Sequence, residues 1–150
     1  MQIFFINIDP VKAAKQLSDV HIRKMPTESA QLLSTAFRVI KPQTILSICK
    51  SYNPYGRLVK WLVASKAHYR WLLQHAIALC KEYTYRTDKV HASQTYIDLI
   101  AEKWNPVVMD QYKHLIVPND PIQSNRNLLK IGKRDICHWK LKPARRPTWF

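Results

Sequence analysis

Residues 67–83 read Ala-His-Tyr-Arg-Trp-Leu-Leu-Gln-His-Ala-Ile-Ala-Leu-Cys-Lys-Glu-Tyr. Trp71, Leu72, Ala76, Leu79, Cys80 and Tyr83 recur in this stretch at steps of three or four, which places them on one face of a helix. This is the strongest helical signal in the chain, and its neighbours agree with it. Arg57 to Ala64 reads as a short helix, and Ser93 to Trp104 as another that starts near Ala92 and Ser93. Upstream, Asp9-Pro10 combines a good N-cap with a proline whose missing N–H would be unpaired anyway. Val11, Ala14, Leu17, Val20 and His21 then follow helical spacing until Pro26, which should kink or restart the helix. Ala30, Leu33, Ala36, Phe37, Val39 and Ile40 carry a helical face on to Pro42.

The remaining segments carry weaker patterns. Residues 2–8 form a short apolar run read as a buried strand or an extended segment. Residues 43–56 look irregular, with turn chemistry at Asn53-Pro54 and Tyr55-Gly56, and residues 105–119 read as a loop with a short apolar piece. Asp120-Pro121 repeats the cap-plus-proline start and should launch a basic helix to about His138. Pro143 and Pro147 make Lys140 to Phe150 an extended tail. With no β-alternation after residue 8, no repeat and no linker, the expected fold is all-α: a compact single-domain helical bundle over residues 1–150.

Composition narrows the partner. Lys and Arg number 24 against ten Asp and Glu, a formal net charge of +14, while 47% apolar residues support a core rather than a disordered basic tail. Such a surface favours nucleic acid first and an anionic membrane surface second. No stretch approaches the roughly 18 apolar residues of a membrane span. Three widely spaced cysteines, Cys49, Cys80 and Cys137, fit free thiols in a reducing interior, so a cytoplasmic, monomeric protein is expected. Two glycines cannot build a phosphate-cradling Gly-rich loop. There is no CxxC, no HExxH and no dense carboxylate pattern, which disfavours a metal-dependent nuclease.

Cations and rings cluster twice. From Arg126 to Arg146 stand Arg126, Lys130, Lys133, Arg134, Lys140, Lys142, Arg145 and Arg146 with a single acid, Asp135, and with Trp139 and Trp149 interleaved. Phosphate-binding cations beside flat rings suit a nucleic-acid groove, and a solvated charged face with packed tryptophans is the plainer reading. The second cluster is Tyr83, Tyr85, Arg86, Lys89 and His91, where cations also complement a helix C-terminus.

The carboxylates sort by elimination. Asp9 and Asp120 cap helices; Asp98, Glu102 and Asp110 fall in ordinary contexts; Glu82 and Asp88 have Lys81, Arg86 or Lys89 to pair with. Asp19 and Glu28 are left, flanking His21, Arg23 and Lys24. A carboxylate among cations that serve a phosphate backbone opposes binding unless it does chemistry there.

The run Leu17-Ser18-Asp19-Val20-His21-Ile22, with Glu28 seven residues past the histidine, resembles the endonuclease V type of pyrimidine dimer DNA glycosylase known from phages. That family has a similar Leu-x-Asp-x-His-Leu run and its catalytic glutamate at the same distance. Arg146-Pro147-Thr148-Trp149-Phe150 is similar to its C-terminal Arg-Pro-Thr-Trp-Tyr, which lies near the lesion. The resemblance implies a helical domain that grips bent duplex DNA, extrudes a damaged or modified pyrimidine and needs no metal or cofactor. It implies attack of an amine on the sugar C1′, a Schiff base, and β-elimination as an AP lyase, with Glu28 stabilising the cationic transition state.

The residues expected at the reacting centre are Glu28, His21 and the amine of Met1. Those expected against DNA are Arg23, Lys24, Arg38, Arg86, Lys89, His91, Lys140, Lys142, Arg145, Arg146 and Trp149. The chain departs from the family where its nucleophile is a threonine amine, since residue 2 is Gln, whose bulk disfavours removal of Met1. Thr27 and Gln31 stand where the family has arginines, leaving Arg23 and Lys24 to replace them. Two rivals follow: a non-catalytic nucleic-acid-binding protein, and an enzyme acting on free nucleosides or nucleotides.

Overall fold

The computed structural model describes residues 1–42, 49–104 and 121–150, so expectations for residues 43–48 and for the loop over 105–119, and those for Asp110 and Asp120, lie outside the described residues. The fold is all-α. In chain order come α1 (Pro10–Gln16), α2 (Asp19–Ile40), α3 (Arg57–Ala64), α4 (Lys66–Thr87), α5 (Gln94–Lys103) and α6 (Pro121–Asn127). No strand occurs among the described residues, and residues 2–8 are an extended segment without a partner strand. Among these residues no helix is long and apolar enough to cross a membrane.

The helix read most strongly from sequence is the hub. α4 starts where the Ser65 hydroxyl accepts the Ala67 N–H at 3.2 Å. It ends where Asp88 turns into the left-handed region at φ 56° and returns its N–H to the Thr84 carbonyl. It packs against α1, α2, α3 and α5. Trp71, Leu72, Ala76, Leu79 and Cys80 are buried, as the periodicity requires, and Tyr69 joins them with its hydroxyl donating to the Leu33 carbonyl of α2. Trp71 holds the N-terminal segment: its ring meets Phe5 at 4.3 Å between centroids, and its Nε1–H donates to the Ile8 carbonyl at 2.7 Å. Phe4, Phe5 and Ile6 are thereby buried although their segment joins no sheet.

The break in the first helical stretch falls earlier than expected. Asp9 does cap α1, its Oδ1 accepting from Val11 and Lys12, but the helix stops at Leu17, and the chain stays extended through Ser18 before α2 begins. Val11 is consequently exposed. Pro26 does not end α2, which runs through it for 22 residues. A proline inside a helix costs about 3 kcal/mol. Burying Ile22, Met25, Leu32, Leu33 and Phe37, each worth roughly 1.5–3 kcal/mol, outweighs it.

At the other end the basic helix is shorter than expected. α6 passes into a π-helical turn, Leu128–Gly132, and ends there; Arg134–Ile136 and Pro143–Arg145 are single 3₁₀ turns, so the tail is not fully extended. Trp139 is buried in the core rather than presented to a ligand.

One ion network ties these parts together. The Arg86 side chain is completely buried and donates to Asp19 Oδ1 at 2.9 Å, to Glu82 Oε1 at 2.9 Å and to the Lys15 carbonyl at 2.9 Å. Asp19 also accepts the Leu141 N–H, its own N–H reaches the His138 carbonyl, and Glu82 takes a second cation, Arg145. Arg86 is therefore a core residue and not part of a nucleic-acid surface, which corrects the sequence expectation. Removing it strands the buried Asp19 carboxylate and leaves Glu82 with Arg145 alone: Arg86→Ala should lose about 3–5 kcal/mol in urea unfolding. Exposed Lys89→Ala should stay within about 0.5 kcal/mol.

Candidate active site

Glu28 sits three turns into α2, half-buried. Its Oε2 accepts the Gln2 backbone N–H at 3.0 Å, and its Oε1 pairs with Lys24, one turn earlier, at 3.1 Å. Lys24 itself is largely exposed. The carboxylate thus meets the first residues of this chain, because Trp71 and the buried Phe4 and Phe5 hold the segment across α2. Met1 is exposed one residue from that hydrogen bond. The Gln2 side chain donates to Asn125 Oδ1 at 3.2 Å and Arg126 Nε–H donates to the Ile6 carbonyl at 3.0 Å, so α6 flanks the same segment.

His21 lies two turns before Glu28. Its Nδ1 shares a 2.7 Å hydrogen bond with the Ser18 hydroxyl, and the Phe4 ring meets it edge-on at 4.6 Å. Burial above all, and then the positive charges of Lys133 and Lys24, push its pKa down to about 4 against the opposing pull of Glu28. The ring is neutral at pH 7, available as a hydrogen-bonding group and not as a cation. Burial holds the nearby Cys137 thiol in its neutral form.

The structure pairs Lys24 with Glu28, sets Gln2, the neighbour of Met1, on the same carboxylate and leaves His21 two turns earlier on α2, and it separates other expected residues from them. Arg38 stands ten residues along α2 from Glu28, about 15 Å at 1.5 Å per residue. Its guanidinium holds the Cys49 carbonyl and the Ser51 hydroxyl. His91 is buried; its Nε2–H donates to the Arg23 carbonyl and its Nδ1 accepts the Ser93 N–H, so both nitrogens serve the fold. His91 is a correction to the expected DNA-contacting set, and Arg38, partly exposed, lies apart from Glu28. Arg23, Lys89, Lys140 and Arg146 are exposed, and Trp149 is half-buried under the Arg126 guanidinium. Lys142 and Arg145 converge on Tyr85 at 4.7 and 4.9 Å from its centroid, joining the two clusters seen in the sequence.

Lys133, Ser18 and Asn125 were not singled out from sequence as neighbours of the site. The positions of Lys133 and Asn125 depend on where the chain after residue 120 docks, which no local spacing encodes, whereas Ser18 stands three residues before His21, a spacing the sequence did offer. A shallow groove of about 570 Å³ between α1 and α4, lined by Asp9, Lys15, Lys81, Glu82, Tyr85 and Arg145 among others, shares no lining residue with the Glu28 contacts. Among the described residues no group of three His, Cys, Asp or Glu side chains is placed to hold a metal ion. Comparison with protein-family models, with curated proteins and with solved structures finds no match.

The buried histidines predict an acid-sensitive fold. His75 is fully enclosed, stacked on Trp71, and its pKa is pushed down to about 3 by burial. Between pH 6.5 and about 4 the unfolded chain takes up protons on His21 and His75 that the folded chain refuses, so stability must fall as pH falls through that window. Urea titrations at stepped pH should show this decline. His75→Phe, which keeps a ring on Trp71 and removes two nitrogens without protein partners, should flatten it.

Proposed function

We propose that the protein is a DNA glycosylase that excises a damaged or modified pyrimidine from duplex DNA by flipping it, with Glu28 as the catalytic carboxylate and an associated AP-lyase step. The observation that carries this reading is the 3.0 Å hydrogen bond from the Gln2 N–H to Glu28 Oε2, which sets the start of this chain beside the acid. The resemblance in the Leu17–Ile22 run and at Arg146–Phe150 supports it, as does the +14 charge.

In this mechanism the sugar C1′ gains positive character as its bond to the base breaks, and the Glu28 carboxylate stabilises that charge. The electron pair of the broken bond leaves with the base. The Met1 amine attacks C1′, surrendering a proton to Glu28, which returns it to O4′ as the C1′–O4′ bond breaks and the ring opens to a Schiff base between C1′ and the amine nitrogen. Loss of a C2′ proton then expels the 3′ phosphate by β-elimination. Gln2 N is an amide and cannot itself attack, so its role is to hold Met1 in place. Lys24 offsets the charge of Glu28 until substrate arrives. Where Met1 does not reach C1′, water activated by Glu28 releases the base without a covalent adduct.

A second reading rests on the same contacts. Both Glu28 oxygens are already engaged, by Lys24 and by Gln2, as a purely structural clasp on the N-terminal segment requires. The protein is then a nucleic-acid-binding protein without catalysis.

Duplexes carrying pyrimidine dimers, modified pyrimidines or abasic sites separate the two. Base release or incision that drops about 10²–10⁴-fold in Glu28→Gln is the expected result. Borohydride trapping of a covalent adduct identifies the lyase route. No product from any of these duplexes, or unchanged activity in Glu28→Gln, leaves only the clasp. Duplex binding should also weaken on the order of a thousandfold between about 50 and 200 mM salt, a dependence that an enzyme for free nucleosides would lack.

A further inference from the structure

Ile131 is 81% exposed, the most exposed large apolar side chain among the described residues. Leaving an isoleucine in water forgoes roughly 1.5–3 kcal/mol of burial. It stands on the π-helical turn Leu128–Gly132, a geometry frequent at functional positions, and the turn is anchored from beneath by Leu129, which is 1% exposed. Around it are the exposed cations Lys130 and Arg134 and the half-buried Lys133, with Asp135 the one opposing charge. Ile136, also exposed, extends the apolar tip.

This tip is mounted beside the Glu28 site. The Lys133 carbonyl accepts the Ile136 and Cys137 N–H groups at 3.2 and 3.1 Å, and the next residue, His138, accepts the Asp19 N–H at 2.9 Å through its carbonyl, at the start of α2. Lys133 is close enough to His21 for its charge to be felt by that ring. The mount is therefore fixed to the start of α2, on the helix that carries the carboxylate.

We propose that Ile131 is a wedge that enters a base step of duplex DNA, while Lys130, Lys133 and Arg134 hold the flanking phosphates, so that the nucleotide facing Glu28 is unstacked. The inference rests on the DNA reading above and adds how the duplex is opened. Apolar side chains that kink DNA work in this way, spending a few kcal/mol of stacking for a bent duplex that contacts more protein. An anionic lipid surface is the other partner for an apolar tip among cations, but two isoleucines supply little of the buried hydrocarbon that membrane anchoring needs.

The test uses the full chain and a short duplex bearing 2-aminopurine next to a tetrahydrofuran abasic site. Binding of the wild type should raise 2-aminopurine fluorescence as the base unstacks. Ile131→Ser should lose most of that rise and bind this duplex roughly tenfold more weakly, within the stacking cost of one step. Its salt dependence and thermal melting should be unchanged, because it removes no cation and no core contact. Ile131→Phe should restore the rise, and Lys130→Ala should lower the salt slope by about one while keeping it. A full rise in Ile131→Ser with duplex binding intact overturns the wedge and leaves the glycosylase reading standing. A wild type that binds no duplex overturns both. Loss of binding by Ile131→Ser to phosphatidylserine vesicles alone, with the duplex unaffected, reassigns the tip to a membrane surface and likewise overturns the wedge.

Discussion

The buried guanidinium of Arg86 is the constraint on which the arrangement depends. It joins the end of α1 through the Lys15 carbonyl, the start of α2 through Asp19 and its own helix through Glu82. Through the second oxygen of Asp19 and the first of Glu82 it also fixes the tail at Leu141 and Arg145. Burying three charges in this way is costly, and replacement by apolar groups is often no less stable. What the network secures is direction. With Asp19 pinned, the phase of α2 is set, and His21, Lys24 and Glu28 follow on one side of it. The same pin seats Trp139 in the core and sets Lys133 near His21.

Across this frame the N-terminal segment is laid by apolar contacts instead of sheet pairing. Phe5 on Trp71, Phe4 against His21 and the indole hydrogen bond to Ile8 bring Gln2 to Glu28. The outcome is a carboxylate with one cation on it, a neutral histidine two turns away and more cations nearby. In the proposed reaction the first would stabilise a positively charged sugar, and the last would draw a phosphate backbone. Under that proposal the neutrality of His21 matters, since a cation in its place would oppose positive charge at C1′. Burial and the neighbouring lysines together keep it neutral.

Local patterns revealed much of the helical layout. The three-and-four spacing from Trp71 to Tyr83 located α4, Asp9-Pro10 located the start of α1, and Arg57–Ala64 emerged with the expected bounds. Proline was the misleading signal. Pro26 lies in a helix whose buried face carries it, whereas the real break is at Leu17-Ser18, where a serine followed by an acid in the first turn was the available cue. Likewise Gly132 marked the end of the basic helix that the charge run appeared to extend. Sequence also narrowed the carboxylates to Asp19 and Glu28 but could not separate them. Asp19 meets Arg86 across 67 positions, and Glu28 meets Gln2 across 26, and pairings that long follow from the tertiary fold alone. Arg86 and His91 misread for the same reason: a basic residue in a charge-rich stretch looks like a surface group until its buried partners are known.

The central claim is that the carboxylate at position 28 serves a sugar undergoing loss of its base. The most direct measurement is a crystal structure of the complex with duplex DNA carrying a pyrrolidine nucleotide, whose ring nitrogen mimics the cationic sugar. The account predicts an extrahelical pyrrolidine with its charged nitrogen in hydrogen-bond contact with a Glu28 oxygen and the Met1 amine facing the ring. A complex in which the duplex lies elsewhere, with Glu28 still closed on Gln2 and Lys24, would contradict it.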